Sequence, residues 1–207
     1  MSLTIGGTEK LNGIRHFSIS RESCNNATIA CRKYCYGSKG NFLFQPVIDA
    51  YNTNYELSQL DNFVESMNEL ISVNERFFRV HAVGDFYDID YFYKWIEIAK
   101  DNPHITFLAY TRNDDVFGWQ FQPDNFRLIY SMDHTTKAHD RIHTARARKA
   151  LVVDSVYKNK PHLTKEYFIQ HADHFKVCTS ADCIKCLECW TGNDNIAFPQ
   201  KWPLHNP

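Results

Sequence analysis

Long apolar runs are absent from this sequence. Although hydrophobic residues make up 43% of the chain, no stretch approaches the roughly 20 apolar residues that a membrane-spanning helix needs. The first residues also lack the charged, apolar and small segments that follow one another in a secretory signal. We therefore expect a cytoplasmic protein with no membrane partner.

An excess of charge of either sign is absent as well. The 23 basic and 24 acidic residues leave a net charge of −1, which argues against a broad basic surface for nucleic acid. Internal repeats, low-complexity tracts and long linkers are also lacking, so the 207 residues predict one domain at 1–207. Its predicted parts are a cysteine loop at 24–35, a βα core at 45–177 and a cysteine segment at 178–207.

The seven cysteines form two groups with no cysteine between them. An odd number cannot all pair in disulfides, and clustered cysteines in a reducing compartment are more often metal ligands. The first group is Cys24, Cys31 and Cys35, and the second is Cys178, Cys183, Cys186 and Cys189. Both groups are predicted to bind metal.

The first group has the spacing C-x6-C-x3-C. Three thiolates on one loop can hold three irons of a [4Fe–4S] cluster and leave the fourth iron open for a substrate or cofactor. Two alternatives remain: three unrelated cysteines in a surface loop, or a zinc site completed by His16 or by a remote ligand.

The second group has the spacing C-x4-C-x2-C-x2-C. This spacing overlaps those of two ferredoxin types and favours a further [4Fe–4S] cluster. Structural zinc is the alternative, since zinc held by four cysteines is common. Zinc ribbons, however, usually separate two CxxC pairs by a dozen or more residues. A single cluster held by both groups is a third possibility.

Apolar strands alternate with helical patterns through the middle of the chain. Strands are predicted at 77–83, 105–110, 126–130, 150–153 and 175–177, and helices at 88–100, at 164–171 and around an apolar face formed by Phe63, Met67, Leu70 and Ile71. This alternation predicts an α/β fold with a mainly parallel sheet. Four or five strands are too few to close an eight-stranded barrel, so we expect a partial (βα) barrel.

The carboxyl ends of the predicted strands carry small, polar or charged residues. Ligands of parallel sheets and barrels bind at this edge. The residues predicted to bind a cofactor are Gly84, Asp85, Thr111, Arg112, Ser131 and Asp133. The alternative for Gly84-Asp85 is a strand-to-helix turn with a helix cap, and for Arg112 and Asp133 a structural ion pair.

A basic, histidine-containing stretch follows the third predicted strand. It contains His134, His139 and His143 among several lysines and arginines. Such a stretch can form a basic rim for a phosphate-containing ligand. A solvated helix face is the more common explanation.

Three segments together resemble a known family. They are C-x6-C-x3-C-Y-G-x2-G, RVHAVGDFYDIDYFYKWIEIA and ITFLAYTR, and they are similar to the radical-SAM-like gene product 88 proteins of bacteriophages. The resemblance implies a partial barrel with a [4Fe–4S] cluster below the strand ends and S-adenosylmethionine (SAM) on the open iron. It also implies that Gly84-Asp85 stands where the larger superfamily has a Gly-Glu pair that holds the SAM amino group.

The leading hypothesis is thus an iron–sulfur protein that resembles radical-SAM enzymes. It would bind SAM or a related small sulfur-containing ligand, and an electron donor would be its partner. The alternative is a non-catalytic iron–sulfur or zinc protein that transfers electrons, senses redox state or binds a host partner. The alternative is supported by the cysteine spacing, because typical radical-SAM enzymes place three and then two residues between their cysteines.

Overall fold

The computed structural model describes most of the chain. The described residues are 2–8, 10–71, 73–117, 122–133, 135–136, 148–153 and 175–199. The predicted helix at 164–171 and the histidine stretch at 134–143 lie outside these residues, except for 135–136.

Eight strands in the described residues form one sheet. They are β1 (Ile5–Gly6), β2 (Arg15–Phe17), β3 (Phe77–Val80), β4 (Thr106–Thr111), β5 (Phe126–Met132), β6 (Lys149–Val153), β7 (Phe175–Val177) and β8 (Asn195–Pro199). Their order in space is β1-β2-β3-β4-β5-β6-β8-β7. Only the β1–β2 pair among them is antiparallel, and the other neighbours are parallel.

The described helices are mostly short. They are α1 (Ile29–Tyr34), α2 (Gln45–Ser58), α3 (Phe63–Leu70), α4 (Ile89–Asp101), α5 (Asp114–Phe117), α6 (Cys183–Cys186) and α7 (Glu188–Thr191), with 3-10 turns at Arg21–Ser23, Tyr36–Ser38 and Gly40–Leu43. Within the described ranges, none of the helices has both the length and the apolar character for a membrane span.

Helix α4 shows how the sequence sets its own boundaries. The side chain of Asp88 accepts a hydrogen bond from the main-chain nitrogen of Tyr91 at 2.7 Å and so caps the first turn. The helix ends at Asp101, and Asn102 is its C-terminal cap directly before Pro103. This is expected because the residue ahead of a proline disfavours the helical backbone. The predicted range of 88–100 is therefore confirmed to within one residue.

Helices α3 and α4 cover one face of the sheet, which we call the helix face. Trp95 of α4 is fully buried there. Its ring centroid lies 5.5 Å from that of Phe17 on β2 and 6.1 Å from that of Phe78 on β3. Burying one such large side chain contributes about 2–3 kcal/mol. This face holds the main core of the described residues.

The opposite face of the sheet, here called the cysteine face, is covered by residues 11–14 and by the segment around α7. Leu11 and Ile14 pack there together with Trp190 of α7, which is 2% exposed. Beneath them lie Leu108 of β4 and Ile129 of β5. Cys183 and Cys189 of the second cysteine group pack against this cluster.

The α/β class and the mainly parallel sheet are confirmed, but the strand count was underestimated. No strand was predicted before residue 77, where β1 and β2 have two and three residues. Strand β3 is three residues shorter than the predicted strand at 77–83. That strand ends at Val80 because His81 takes a φ of +61°, and Gly84 follows with a φ of +98°. These left-handed residues turn the chain out of the sheet.

Candidate functional site

The start of the cysteine loop is bound to the turn after β3. Ser23 is fully buried, and its hydroxyl donates to the carbonyl of Ser20 at 2.7 Å. The same hydroxyl accepts a hydrogen bond from the main-chain nitrogen of Asp85 at 3.1 Å. Because Cys24 directly follows Ser23, this contact places the first cysteine beside the carboxyl end of β3.

The rest of the loop is bound to the carboxyl end of β5. Thr28 caps α1 by accepting from the main-chain nitrogen of Cys31 at 3.0 Å. Its hydroxyl donates to Asp133 Oδ2 at 2.5 Å. Cys35 closes the same helix one turn later. Helix α1 therefore presents Cys31 and Cys35 from consecutive turns, close to the strand ends.

The three thiols of the loop lie close enough to influence one another. Burial raises the pKa of Cys24 to about 12, and the charges of Asp85, Cys31 and Cys35 add to the rise. Burial also raises the pKa of Cys31. Both thiols are therefore protonated at neutral pH in the metal-free protein, and a metal must displace these protons in order to bind.

Arg112 and Asp133 form a buried ion pair beside the loop. The Nη1–Oδ2 distance is 2.9 Å, and the side chains are 8% and 3% exposed. Burial alone would raise the pKa of Asp133, but the Thr28 hydroxyl and the Arg112 charge outweigh it and the pKa is lowered. Arg112 also interacts with Cys31 and lowers its thiol pKa against the effect of burial. The ion pair that was the structural alternative for these two residues is thus present, and its Arg112 interacts with Cys31.

Asp85 joins the ends of β3 and β4. Its Oδ1 accepts from the main-chain nitrogen of Phe86 and from the hydroxyl of Thr111, both at 2.7 Å. Its Oδ2 accepts from the main-chain nitrogen of Arg112 at 2.9 Å. Burial raises the pKa of this carboxyl to about 6, although each of these bonds opposes the rise. Both oxygens have protein partners, so a ligand would have to share them.

Ser131 is placed differently from the other predicted residues. It lies within β5, opposite Ala150 of β6, and not beyond the end of the strand. Asp85, Thr111, Arg112 and Asp133 all lie at the strand ends with the first cysteine group. The roles assigned to Gly84 and to these residues in holding a cofactor stay predictions.

The second cysteine group gathers on the cysteine face. Cys178 follows β7, Cys183 begins α6, and Cys189 lies in α7. Burial raises the pKa of Cys183, and the Cys189 and Cys178 thiols raise it further. Cys186 differs, because it is exposed.

Three cations from distant parts of the chain surround this second group. Lys10 Nζ lies 3.7 Å from Cys178 Sγ. Arg79 and Arg148 both lower the pKa of Cys189 against the larger effect of burial. Arg148 belongs to the basic, histidine-containing stretch noted in the sequence, but a contact with cysteines was not predicted for it. Lys10 and Arg79 were not predicted, although Arg79 gave a signal as a charged residue inside an apolar strand.

Arg148 also fixes the main chain of this segment. Its guanidinium donates to the carbonyls of Cys189 at 3.0 Å, Glu188 at 3.2 Å and Asp194 at 2.7 Å. The carbonyl of Lys10 accepts from the main-chain nitrogen of Cys183 at 2.9 Å. The second cysteine group is therefore hydrogen-bonded both to the N-terminal segment and to the residue that precedes β6.

The alternative zinc ligand His16 has other partners. It is buried in β2, and its Nδ1 lies 3.0 Å from the hydroxyl of Ser18. Burial lowers the pKa of this ring to about 4. Across the part of the chain that the structure describes, no three His, Cys, Asp or Glu side chains converge on a point that would hold a single metal ion.

Comparison with known proteins gives the family. Residues 4–195 match the family described as Gene product 88. The Gene 88 protein of Mycobacterium phage L5 is 31% identical over 125 residues, which cover 54% of this chain and 52% of the relative. The Gene 88 protein of Mycobacterium phage D29 is 30% identical over 102 residues, which cover 44% of this chain and 42% of the relative. The chain thus spans about half the length of these relatives, and no solved structure matches it. Because the family match covers most of its length, the chain belongs to the phage Gene product 88 family.

Proposed function

We propose that this protein is an iron–sulfur protein of the radical-SAM type, in which Cys24, Cys31 and Cys35 hold a [4Fe–4S] cluster with one open iron. The docking of the cysteine loop on the carboxyl ends of β3, β4 and β5 carries this proposal. Ligand sites of parallel α/β sheets form at this edge. The parallel order from β2 to β6 is also what a partial (βα) barrel requires.

A [4Fe–4S] cluster and a single zinc ion place their thiolates differently. The sulfurs of a tetrahedral zinc site lie about 3.8 Å apart, given Zn–S bonds of about 2.3 Å. In a cluster each thiolate binds a different iron, so the thiolates stand farther apart. We propose the cluster because of the C-x6-C-x3-C spacing; among the described residues, no group of three His, Cys, Asp or Glu side chains could hold a metal ion.

The open iron would take SAM or a related small sulfur-containing ligand. When bound, the cluster supplies a low-potential electron to that ligand. Residues of the chain position the strand ends and a positive charge around this site. Asp85 fixes the ends of β3 and β4 relative to each other, and Arg112 puts a positive charge beside Cys31. That charge favours the thiolate form that binds metal.

The second cysteine group would hold a further centre. A metal bound by several thiolates keeps a net negative charge, and burying such a charge costs free energy unless cations lie nearby. Lys10, Arg79 and Arg148 provide such cations. This centre would relay electrons or anchor the substrate, with a [4Fe–4S] cluster favoured and zinc as the alternative.

The proposal is tested by EPR spectroscopy of the anaerobically reduced protein with and without SAM. We expect a [4Fe–4S] signal whose shape changes when SAM is added. Cys31→Ser removes one ligand of the open cluster and should abolish the response to SAM. Cys186→Ser is the matched control, because this exposed cysteine belongs to the other group. A cluster signal that SAM leaves unchanged would contradict the open iron.

One observation favours the non-catalytic alternative. In a partial (βα) barrel the interior is the side of the sheet away from the helices, and here Trp190 and its neighbours fill that side. A protein that only transfers electrons or senses redox state needs no room for a substrate there. An iron–sulfur signal without a response to SAM would support this alternative.

A further inference from the structure

A buried pair of titratable side chains, His81 and Tyr91, lies on the helix face and is not part of the candidate site. His81 follows β3 with a left-handed φ of +61°, and Tyr91 belongs to α4. The Nε2 atom of His81 lies 2.8 Å from the hydroxyl oxygen of Tyr91, whereas its Nδ1 has no hydrogen-bond partner among the described residues. A left-handed backbone and an unpaired buried nitrogen both cost free energy. Residues held in such strained conformations cluster at functional sites.

The hydrogen bond of this pair runs from Tyr91 to His81. The indole N–H of Trp95 also approaches the Tyr91 hydroxyl, but an indole can only donate and so cannot accept the phenol proton. If the imidazole donated, the phenol proton and Nδ1 would both lack a partner, whereas only Nδ1 lacks one if the phenol donates. Burial raises the pKa of Tyr91 well above its usual value and lowers that of His81 to about 3, so both groups are neutral at rest.

Two further tyrosines connect this pair to the protein surface. The ring of Tyr87 stacks on that of Tyr91, with centroids 4.4 Å apart and planes at 9°. The ring of Tyr55 on α2 meets Tyr87 edge-on, with centroids 5.2 Å apart. Tyr55 and Tyr87 are both partly exposed. The hydroxyl of Tyr87 lies 3.1 Å from that of Ser58, which is not a base at neutral pH. The stack thus joins solvent to a tyrosine whose hydroxyl is bound to an imidazole base.

We propose that Tyr91 is a redox-active tyrosine that holds one oxidising equivalent as a neutral radical, with His81 as its proton acceptor. Tyr87 and Tyr55 carry the electron from Tyr91 to a strong one-electron oxidant at the surface, such as an inorganic oxyradical or a metal(III) polypyridine complex. The oxidant gains one electron, the O–H bond of Tyr91 breaks, and its proton passes to Nε2 of His81, which becomes an imidazolium. A base that takes the proton makes oxidation of the phenol easier, so the radical forms at Tyr91 in preference to Tyr87.

Freeze-quench EPR of the full-length protein tests this inference, with photogenerated tris(bipyridine)ruthenium(III) as the oxidant. We expect a long-lived tyrosyl radical in the wild type. Tyr91→Phe keeps the ring and removes the hydroxyl, and it should lower the yield of this radical about tenfold or more. Tyr93→Phe is the matched control, because Tyr93 is an exposed tyrosine of the same helix, and it should leave the yield unchanged.

A second variant tests the base. His81→Asn keeps a residue that tolerates the left-handed backbone but removes the imidazole, and it should shorten the lifetime of the radical about tenfold or more. Absence of a long-lived tyrosyl radical in the wild type, or an unchanged yield in Tyr91→Phe, would overturn the inference. Equal losses in the Tyr91 and Tyr93 variants would also overturn it, because an exposed tyrosine would then hold the radical. Urea unfolding checks that each variant folds, and an unchanged lifetime in His81→Asn would overturn the inference if Tyr91→Phe does not fold.

Discussion

Replacing Gly84 by alanine is predicted to destabilise the protein more than the same change at Gly13. Both glycines have left-handed backbones, with φ of +98° and +94°. A Cβ at Gly84 would lie 2.5 Å from Cγ1 of Ile19 and 3.1 Å from the hydroxyl of Ser23, whereas at Gly13 nothing lies within 4 Å. The pair therefore separates backbone strain from the contact between the turn and the cysteine loop.

The magnitudes follow from these two contributions. A left-handed non-glycine residue costs about 1–2 kcal/mol, which is the whole effect expected for Gly13→Ala. Insertion of a methyl group into a packed site costs about a further 1–3 kcal/mol. Gly84→Ala should therefore reduce the free energy of unfolding by about 2–5 kcal/mol.

Urea unfolding followed by circular dichroism measures both variants against the wild-type chain. The m-value should stay constant, so that changes in the midpoint report stability. Equal losses at the two positions would refute the packing of this turn against Ile19 and Ser23. That result would also contradict the placement of Cys24 by this turn.

Two further predictions concern buried histidines and the second cysteine segment. Burial lowers the pKa of His16 to about 4 and of His81 to about 3, so only the unfolded chain binds protons as the pH falls below about 6.5. The two histidines therefore favour the folded state fully above pH 6.5, and lowering the pH from 7 to 5 should reduce the free energy of unfolding by about 2 kcal/mol for each. Asp85 acts in the opposite direction, because burial raises its pKa to about 6, and its protonation should add about 1 kcal/mol to the free energy of unfolding. Urea unfolding at both pH values measures the sum, and a stability that does not fall at pH 5 would contradict this prediction. Arg148→Met should remove hydrogen bonds to three carbonyls and speed amide hydrogen exchange across 183–195; unchanged exchange there would show that Arg148 does not hold the segment.

The parts of the fold that could be predicted from sequence are those with strong local patterns. Strands β3 and β4 are apolar runs, and α4 has a wide apolar face with a cap at each end. Strands β1 and β2 have two and three residues, too few for a period-2 pattern to show. Their pairing depends on partners far along the chain.

The candidate site was predictable to a similar extent. Ligand sites of parallel sheets lie at the carboxyl ends of the strands, and this rule predicted Asp85, Arg112 and Asp133 as site residues. The structure places these residues beside the first cysteine group. Ser131 was placed wrongly at a strand end, because β5 continues two residues beyond the predicted boundary. The cations around the second group come from three remote positions, and no local pattern indicates that such residues meet.

Metal analysis of anaerobically purified protein tests whether the two cysteine groups hold iron–sulfur clusters. Iron, acid-labile sulfide and zinc are measured per chain in the wild type and in the Cys31→Ser and Cys183→Ser variants. We expect about four to eight irons with matching sulfide in the wild type, and a loss of about four irons in each variant if there are two clusters. Zinc without iron, or no metal at all, would contradict it.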